Sequence, residues 1–271
     1  MEVRILEKTD STTRLIIKGA DTPFMNALRR IMLSEVPSMA IDEVVVIENS
    51  SMLHDETLAH RLGLIPLKTD LDTYNLPEEC PCKSEFGCNL CRVALTLEAE
   101  ATENTTTIYS RNLNSENPDI IPVSEKIPIA KLAPEQKIKL EAYARLGKGK
   151  DHAKWQPVSN CAYRYMAEIE IDKKRCDACG KCVDICPKRV LAKVNKKIEV
   201  RNINECTLCQ DCIDVCPEEP PAIKVEADKQ TFIFDIESTG ALPVERIVLE
   251  ATNIIDKKSQ EFTKELKAAK K

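Results

Sequence analysis

The chain has 271 residues, long enough for two or three packed units, and its composition of 43% apolar and 31% charged residues is that of a soluble globular protein. The net charge of −5 gives no overall attraction to nucleic acid, so no direct nucleic-acid binding is expected. No run of about 18 apolar residues occurs, which excludes a transmembrane helix and any membrane role, and the N-terminus MEVRILEKTD has no signal-peptide core. The expected location is therefore the cytoplasm, where thirteen cysteines point to metal rather than to disulfides.

Residues 3–18 read as two short strands, VRILE and TRLIIK. A helix follows, capped by Asp21 or Thr22, with Pro23 in its first turn, where a missing N–H costs nothing. Phe24, Ala27, Leu28, Ile31 and Met32 make one apolar face at helical spacing, and Pro37 marks the end. Residues 40–48 read as a strand, and 55–62 as a short helix capped by Asp55 and closed by Gly63. Residues 93–99 alternate as a half-buried strand with 104–109 as its hairpin partner, and the stretch 116–134, with four prolines, reads as irregular. Residues 138–146 alternate again. The loop GKGKDHAKWQPV follows, then a long alternation from Cys161 to Ile171.

After a cysteine-rich segment at 172–226, Phe232, Phe234 and Ile236 alternate as a strand. A terminal helix begins at Pro243, with Ile247, Ala251, Ile254, Phe262 and Leu266 on or near one stripe. Neither end of the chain can bury its apolar stripe alone. The simplest arrangement packs the two ends together with the middle inserted between them. Apolar area left over on the long helix points to a partner chain, and an intramolecular core helix is the other reading.

Cys176, Cys179, Cys182 and Cys186-Pro187 form one run, and Cys206, Cys209, Cys212 and Cys216-Pro217 repeat it thirty residues later. This is the bacterial ferredoxin run, twice and complete. Three thiolates at this spacing wrap one corner of a cubane, and the proline turns the fourth cysteine toward the other cluster. One 4Fe–4S cluster is then expected on Cys176, Cys179, Cys182 and Cys216, and the second on Cys206, Cys209, Cys212 and Cys186. Structural zinc sites favour paired clips with longer gaps. Strands are expected near 168–172, 190–194, 198–202 and 222–226. Residues 172–204 carry ten Lys and Arg against four Asp and Glu, whereas 205–226 carry one Lys against six acids. The basic half reads either as a docking face for an acidic partner or as plain solvated surface.

Cys80, Cys82, Cys88 and Cys91 put four soft ligands within twelve residues, enough to close a tetrahedral Zn²⁺ site in a loop with little apolar core. Disulfides or another iron–sulfur site are the alternatives. Cys161 lies in phase with the core side of its strand and reads as a small buried hydrophobe. His54, His60 and His152 show no ligand spacing.

Three stretches, NALRRIMLSEVPSMAIDEV at 26–44, HRLGLIPL at 60–67 and KGKDHAKWQPV at 148–158, together with the terminal ERIVLEATNIIDKKSQEF, resemble the alpha-like subunits of RNA polymerase. The resemblance spans the whole chain and is strongest to the archaeal branch of that family, counterpart of the eukaryotic third-largest subunit and of bacterial alpha. It implies an α+β fold: an alpha-like dimerisation domain with an inserted β-rich domain and a ferredoxin-like iron–sulfur domain. The dimerisation domain would be discontinuous, 1–42 plus 228–271. The β-rich domain would cover 43–167, with the zinc loop at 80–91, and the ferredoxin-like domain 168–227. The family's members pair with subunit L through the first and last helices. The large catalytic subunits then assemble on that heterodimer, and small subunits N and P attach. Phe24, Leu28, Ile31 and Met32, with Ile247, Ala251, Ile254 and Phe262, are the expected partner-facing residues, and Arg29 and Arg30 would meet a large subunit. No closely spaced Asp motif for Mg²⁺ occurs, so no catalytic residues are expected. An electron-transfer subunit of a redox enzyme is the alternative, which leaves both amphipathic ends unexplained.

Overall fold

The computed structural model describes residues 1–84 and 87–269; Glu85 and Phe86 of the 80–91 loop, and Lys270 and Lys271 at the end of the expected dimerisation domain, lie outside it. In chain order the elements are β1 (Glu2–Lys8), β2 (Thr12–Lys18), α1 (Thr22–Ser34), β3 (Pro37–Asn49), α2 (Asp55–Gly63), β4 (Val93–Glu100), β5 (Thr106–Tyr109), β6 (Leu113–Ser115), β7 (Pro128–Leu132), β8 (Lys137–Lys148), β9 (Val158–Ile171), α3 (Lys181–Ile185), β10 (Leu191–Val194), β11 (Lys197–Val200), α4 (Asp211–Asp214), β12 (Ile223–Ser238) and α5 (Val244–Ala268). None of the described helices is long and apolar enough to cross a membrane. The chain divides into two compact units. One comprises Met1–Lys8, Thr13–Asn26 and Ala162–Asp235, the other Thr9–Thr12, Ala27–Cys161 and Ile236 onward.

The first unit is built on a sheet of order β1-β2-β12-β9. One face is apolar. Tyr163 stands edge-on to Phe232 and Phe234 at 5.7 and 6.2 Å, and the Tyr165 ring lies 5.2 Å from Phe232. Asp21 opens α1 by accepting the Phe24 N–H at 3.0 Å, so of the two expected caps Asp21 is the one in place. Successive strand residues point to opposite faces, so Arg14, Arg164 and Asp235 occupy the other side. In the cysteine-rich part β10 and β11 pair as a hairpin from Leu191↔Val200 to Val194↔Lys197. Its core is small: Ala178, Leu191, Ile198, Ile223 and Val225 are buried, with Cys176, Cys182, Cys206, Cys212 and Cys216 packed against them.

The second unit has a sheet of order β3-β8-β4-β6. β8 is central. It pairs with β3 from Pro37↔Lys148 to Asn49↔Ile138 through two bulges, and with β4 from Val93↔Ala144 to Glu100↔Lys137. Leu58 and Leu62 of α2 are buried in the core that covers this sheet, beside Met39, Ile41, Leu95 and Leu97. Position 54, not Asp55, precedes the first turn of α2, and Gly63 is its last residue rather than its stop. Two expectations fail here. β5 pairs with β7 and not with the strand at 93–99, which takes β8 and β6 instead. The proline-rich stretch is also not wholly irregular. Pro128 opens β7, where a strand tolerates a missing N–H, and Ile129, Ala130 and Leu132 are buried. Likewise β3 starts at Pro37, three residues before the expected strand.

Candidate metal centres

The two cysteine runs repeat one backbone path. Each has two left-handed residues between its first cysteine and its short helix: Ala178 (φ 55°) and Gly180 (φ 97°) in the first, Leu208 (φ 59°) and Gln210 (φ 69°) in the second. Three of the four carry a Cβ, and such residues cost about 1 kcal/mol or more unless their surroundings hold them. The strained path wraps each loop around a cavity. Cys176, Cys179, Cys182 and Cys216 line one, walled by Ile171, Ile198 and Ile223. Cys186, Cys206, Cys209 and Cys212 line the other, walled by Ile169, Leu191 and Val225. Each cavity thus takes three cysteines from one run and the fourth from the other.

The donor chemistry fits a cationic cluster. Backbone N–H groups of Val190 and Ala222 donate to Cys186 Sγ and Cys216 Sγ, each at 3.4 Å, the geometry that favours a thiolate. Burial pushes the Cys182 thiol up and that of Cys212 up to about 11. These two thiols would stay protonated without a metal to displace the protons.

The loop at 80–91 differs. Its four Sγ atoms all lie within 4.8 Å of one another, the one such group of potential ligands among the described residues. Cys80 and Cys88 are 3.7 Å apart, Cys82 and Cys91 3.9 Å, and Cys88 and Cys91 3.9 Å. A tetrahedral ion with metal–sulfur bonds of about 2.3 Å needs sulfur–sulfur edges of about 3.8 Å. A disulfide would require about 2.05 Å, and all four thiols are free. The N–H groups of Cys88 and Leu90 donate to Cys91 Sγ and Cys88 Sγ at 3.2 and 3.4 Å. The Ser84 amide holds the Cys82 thiol down to about 7, whereas burial pushes that of Cys91 up to about 12. One divalent cation would resolve that conflict.

The remaining residues singled out in the sequence differ in burial. Leu28, Ile31, Met32, Ile247 and Ala251 are buried within the chain itself. Phe24, Arg29 and Ile254 are half-buried, and Arg30 and Phe262 are exposed. Cys161 is buried, and its thiol, pushed up to about 12 by burial, lies 3.9 Å from the Arg29 carbonyl.

Sequence reasoning missed a polar cluster in the second unit that joins parts of all three family-like stretches. Asp42 accepts from Arg145 Nε at 2.6 Å and from Lys154 Nζ at 2.5 Å, and Lys154 also donates to the Ile41 carbonyl at 3.1 Å. Trp155 lies under both cations and donates to the Arg145 carbonyl at 3.2 Å. Gly63 of the second stretch approaches the same Ile41 carbonyl. The stretches themselves were the only signal, since the partners are more than 100 residues apart.

Burial opposes ionisation of Asp42, but the bonds from Lys154 and Arg145 outweigh it and hold the carboxyl below the usual carboxylate range. Asp42 and Lys154 side chains are 19% and 13% exposed and Arg145 is 43% exposed, so water screens part of the effect. Replacement by Asn is expected to cost about 2 kcal/mol at neutral pH. Because folding lowers this pKa, the contribution is complete above about pH 3.9 and fades as the pH falls through the native value. Urea titrations of both proteins should therefore converge in acid; a constant gap would contradict the assignment.

Residues 14–259 match the family model described as the RNA polymerase Rpb3/Rpb11 dimerisation domain. The chain is 42% identical over 263 residues to the DNA-directed RNA polymerase subunit Rpo3 of Archaeoglobus fulgidus, covering 97% of each chain. It is 41% identical over 264 residues to that of Methanothermobacter thermautotrophicus, covering 96% of this chain and 97% of the relative. It is 39% identical over 267 residues to that of Pyrococcus horikoshii, covering 98% of each. A match that runs from β2 into α5, with relatives aligned almost end to end, establishes that the chain belongs to the RNA polymerase Rpb3/Rpb11 family.

Proposed function

We propose that this chain is a non-catalytic assembly platform of a cytoplasmic, archaeal-type DNA-directed RNA polymerase. Its relatives are named as subunits of that enzyme, and α5 is the observation that carries the role. From Asp256 to Ala269 every residue of the helix and its cap is exposed, including Phe262 at 66% and Leu266 at 50%. An amphipathic helix with its apolar stripe in water calls for a second chain. The partner we assign is the small alpha-like subunit L, met through α1 and α5. Leu28, Ile31, Met32, Ile247 and Ala251 shape these helices from within, and Phe24, Ile254 and Phe262 remain for the partner. The large catalytic subunits would join this heterodimer, followed by small subunits N and P.

In the same reading, 1–42 with 228–271 form the dimerisation domain, 43–167 a β-rich insert and 168–227 a ferredoxin-like insert. Two 4Fe–4S clusters sit in the crossed cysteine cavities, supported by their lining, and Zn²⁺ sits on Cys80, Cys82, Cys88 and Cys91, supported by the tetrahedral sulfur spacing. The clusters act as structural staples whose loss lowers assembly. Replacing Arg29 and Arg30 by Ala should weaken recruitment of a large subunit at least about tenfold, the loss of about 1.4 kcal/mol, and leave the heterodimer intact. Reconstitution followed by size-exclusion chromatography reads both, and unchanged yield of the larger assembly would contradict it.

One observation favours an electron-transfer subunit instead: Cys179 and Cys209 are exposed, so each cluster would reach the surface. Co-purification separates the two readings. A tagged chain recovered in a multi-subunit polymerase supports the platform, and recovery with a redox enzyme supports the alternative.

A further inference from the structure

The approaches to the two cysteine runs are held differently. Among the described residues, Arg175, just before Cys176, bonds within the insert: to Asp172 at 2.8 Å and to the Pro220 and Pro221 carbonyls at 2.7 and 3.4 Å. Thirty residues on, the matching position is Glu205, of opposite charge, and it is tied to the sheet. Arg14 of β2 donates to Glu205 Oε1 at 3.1 Å and to Asp235 of β12 at 2.6 Å. Arg164 of β9 donates to the Asn204 carbonyl at 2.9 Å and to the carbonyl of Cys206 itself at 3.3 Å. The next residue, Tyr165, points to the other face, where its hydroxyl lies 2.9 Å from that of Thr22, the first residue of α1.

We propose that Arg14 and Arg164 make the second run, and not the first, the place where loss of a cluster is felt by the sheet that seats the start of α1. This rests on the cluster assignment made above. With the cluster present, Cys206 is fixed and its carbonyl offers Arg164 a rigid acceptor. Without it, residues 203–206 lose their anchor, and two guanidinium groups lose partners that hold β2 and β9 in place. Among the described residues, no side chain of the sheet bonds to the loop of Cys176, Cys179 and Cys182 in this way. Loss of the Cys176, Cys179, Cys182 and Cys216 cluster stays within the insert.

The test is amide hydrogen exchange on the full chain, reconstituted with iron and sulfide and paired with its partner. Replacing Cys209 and Cys212 by Ala should leave about four irons per chain and speed exchange of residues 13–18 and 162–168 at least about tenfold. Replacing Cys179 and Cys182 by Ala should remove as much iron and leave those amides unchanged. Arg14→Ala with Arg164→Ala should keep about eight irons, speed the same amides, and make the added loss of Cys209 and Cys212 nearly silent there. Equal effects of the two cysteine pairs, or additive effects of the arginine and cysteine changes, would overturn the proposal. A wild-type chain that takes up no iron would defeat the cluster reading with it, and the iron count tells the two failures apart.

Discussion

Stripping iron and sulfide from the purified chain is expected to unfold residues 172–226 while the rest stays folded and still pairs with the small alpha-like subunit. The two regions differ in how much core they own. Among the described residues, the buried core cluster of the cysteine-rich part holds five apolar side chains and that of the second unit holds 22. A segment of about 55 residues with so small a core rarely gathers more than about 3–5 kcal/mol from packing, and several of its loop residues are held in left-handed conformations that oppose folding. In the proposed reading metal–thiolate bonding supplies the difference, as in small metal-dependent domains where binding and folding are one event. The second unit has its own core around the β3-β8-β4-β6 sheet. Native mass spectrometry of the apo-chain with its partner should show the heterodimer, with exchange protection lost only across the insert and the adjoining strands. Full protection of 172–226 without metal would contradict the staple role, and loss of the heterodimer would contradict the separation.

Gly147→Ala and Gly149→Ala should each destabilise the second unit by more than about 3 kcal/mol, beyond the usual cost of overpacking. A Cβ on Gly147 would lie 2.3 Å from the Trp155 indole, which is buried, hydrogen-bonded and fixed under Arg145 and Lys154. A Cβ on Gly149 would lie 2.1 Å from the Leu33 carbonyl oxygen at the end of α1. Neither obstacle is the free end of a flexible side chain, so backbone must move. The Leu33 contact also matters for position, since displacing it shifts the last turn of α1. The urea midpoint of each variant measures the effect. A change below about 1 kcal/mol would show that the close approach is not maintained in solution.

Much of this was readable in the residues because it depends on local spacing. Asp21, Pro23 and the apolar positions of α1 announced the helix, and the alternation of 138–146 announced β8. The cysteine spacing located both cavities because ligands must lie close in sequence to wrap a loop. What escaped depends on distant partners. The pairing of β5 with β7 was hidden because prolines dominate the stretch around 128, and neighbours in sequence are a poor guide to neighbours in a sheet. The Asp42, Arg145 and Lys154 cluster and the Arg14 and Arg164 ties join residues that no periodicity connects. The burial of Leu28, Ile31 and Met32 within the chain was equally hidden: an apolar helix face announces that it will be covered, not whether its own chain or another covers it.

In the proposed function the exposed half of α5 is an assembly surface of a polymerase subunit. Its most direct test is native mass spectrometry of the full chain expressed with the polymerase subunits, with and without Phe262→Asp and Leu266→Asp. A one-to-one heterodimer and its larger assemblies are expected for the natural sequence, and both should be lost when the two apolar residues of the exposed stripe are charged. Assembly unchanged by those substitutions, in a chain that remains folded, would contradict it.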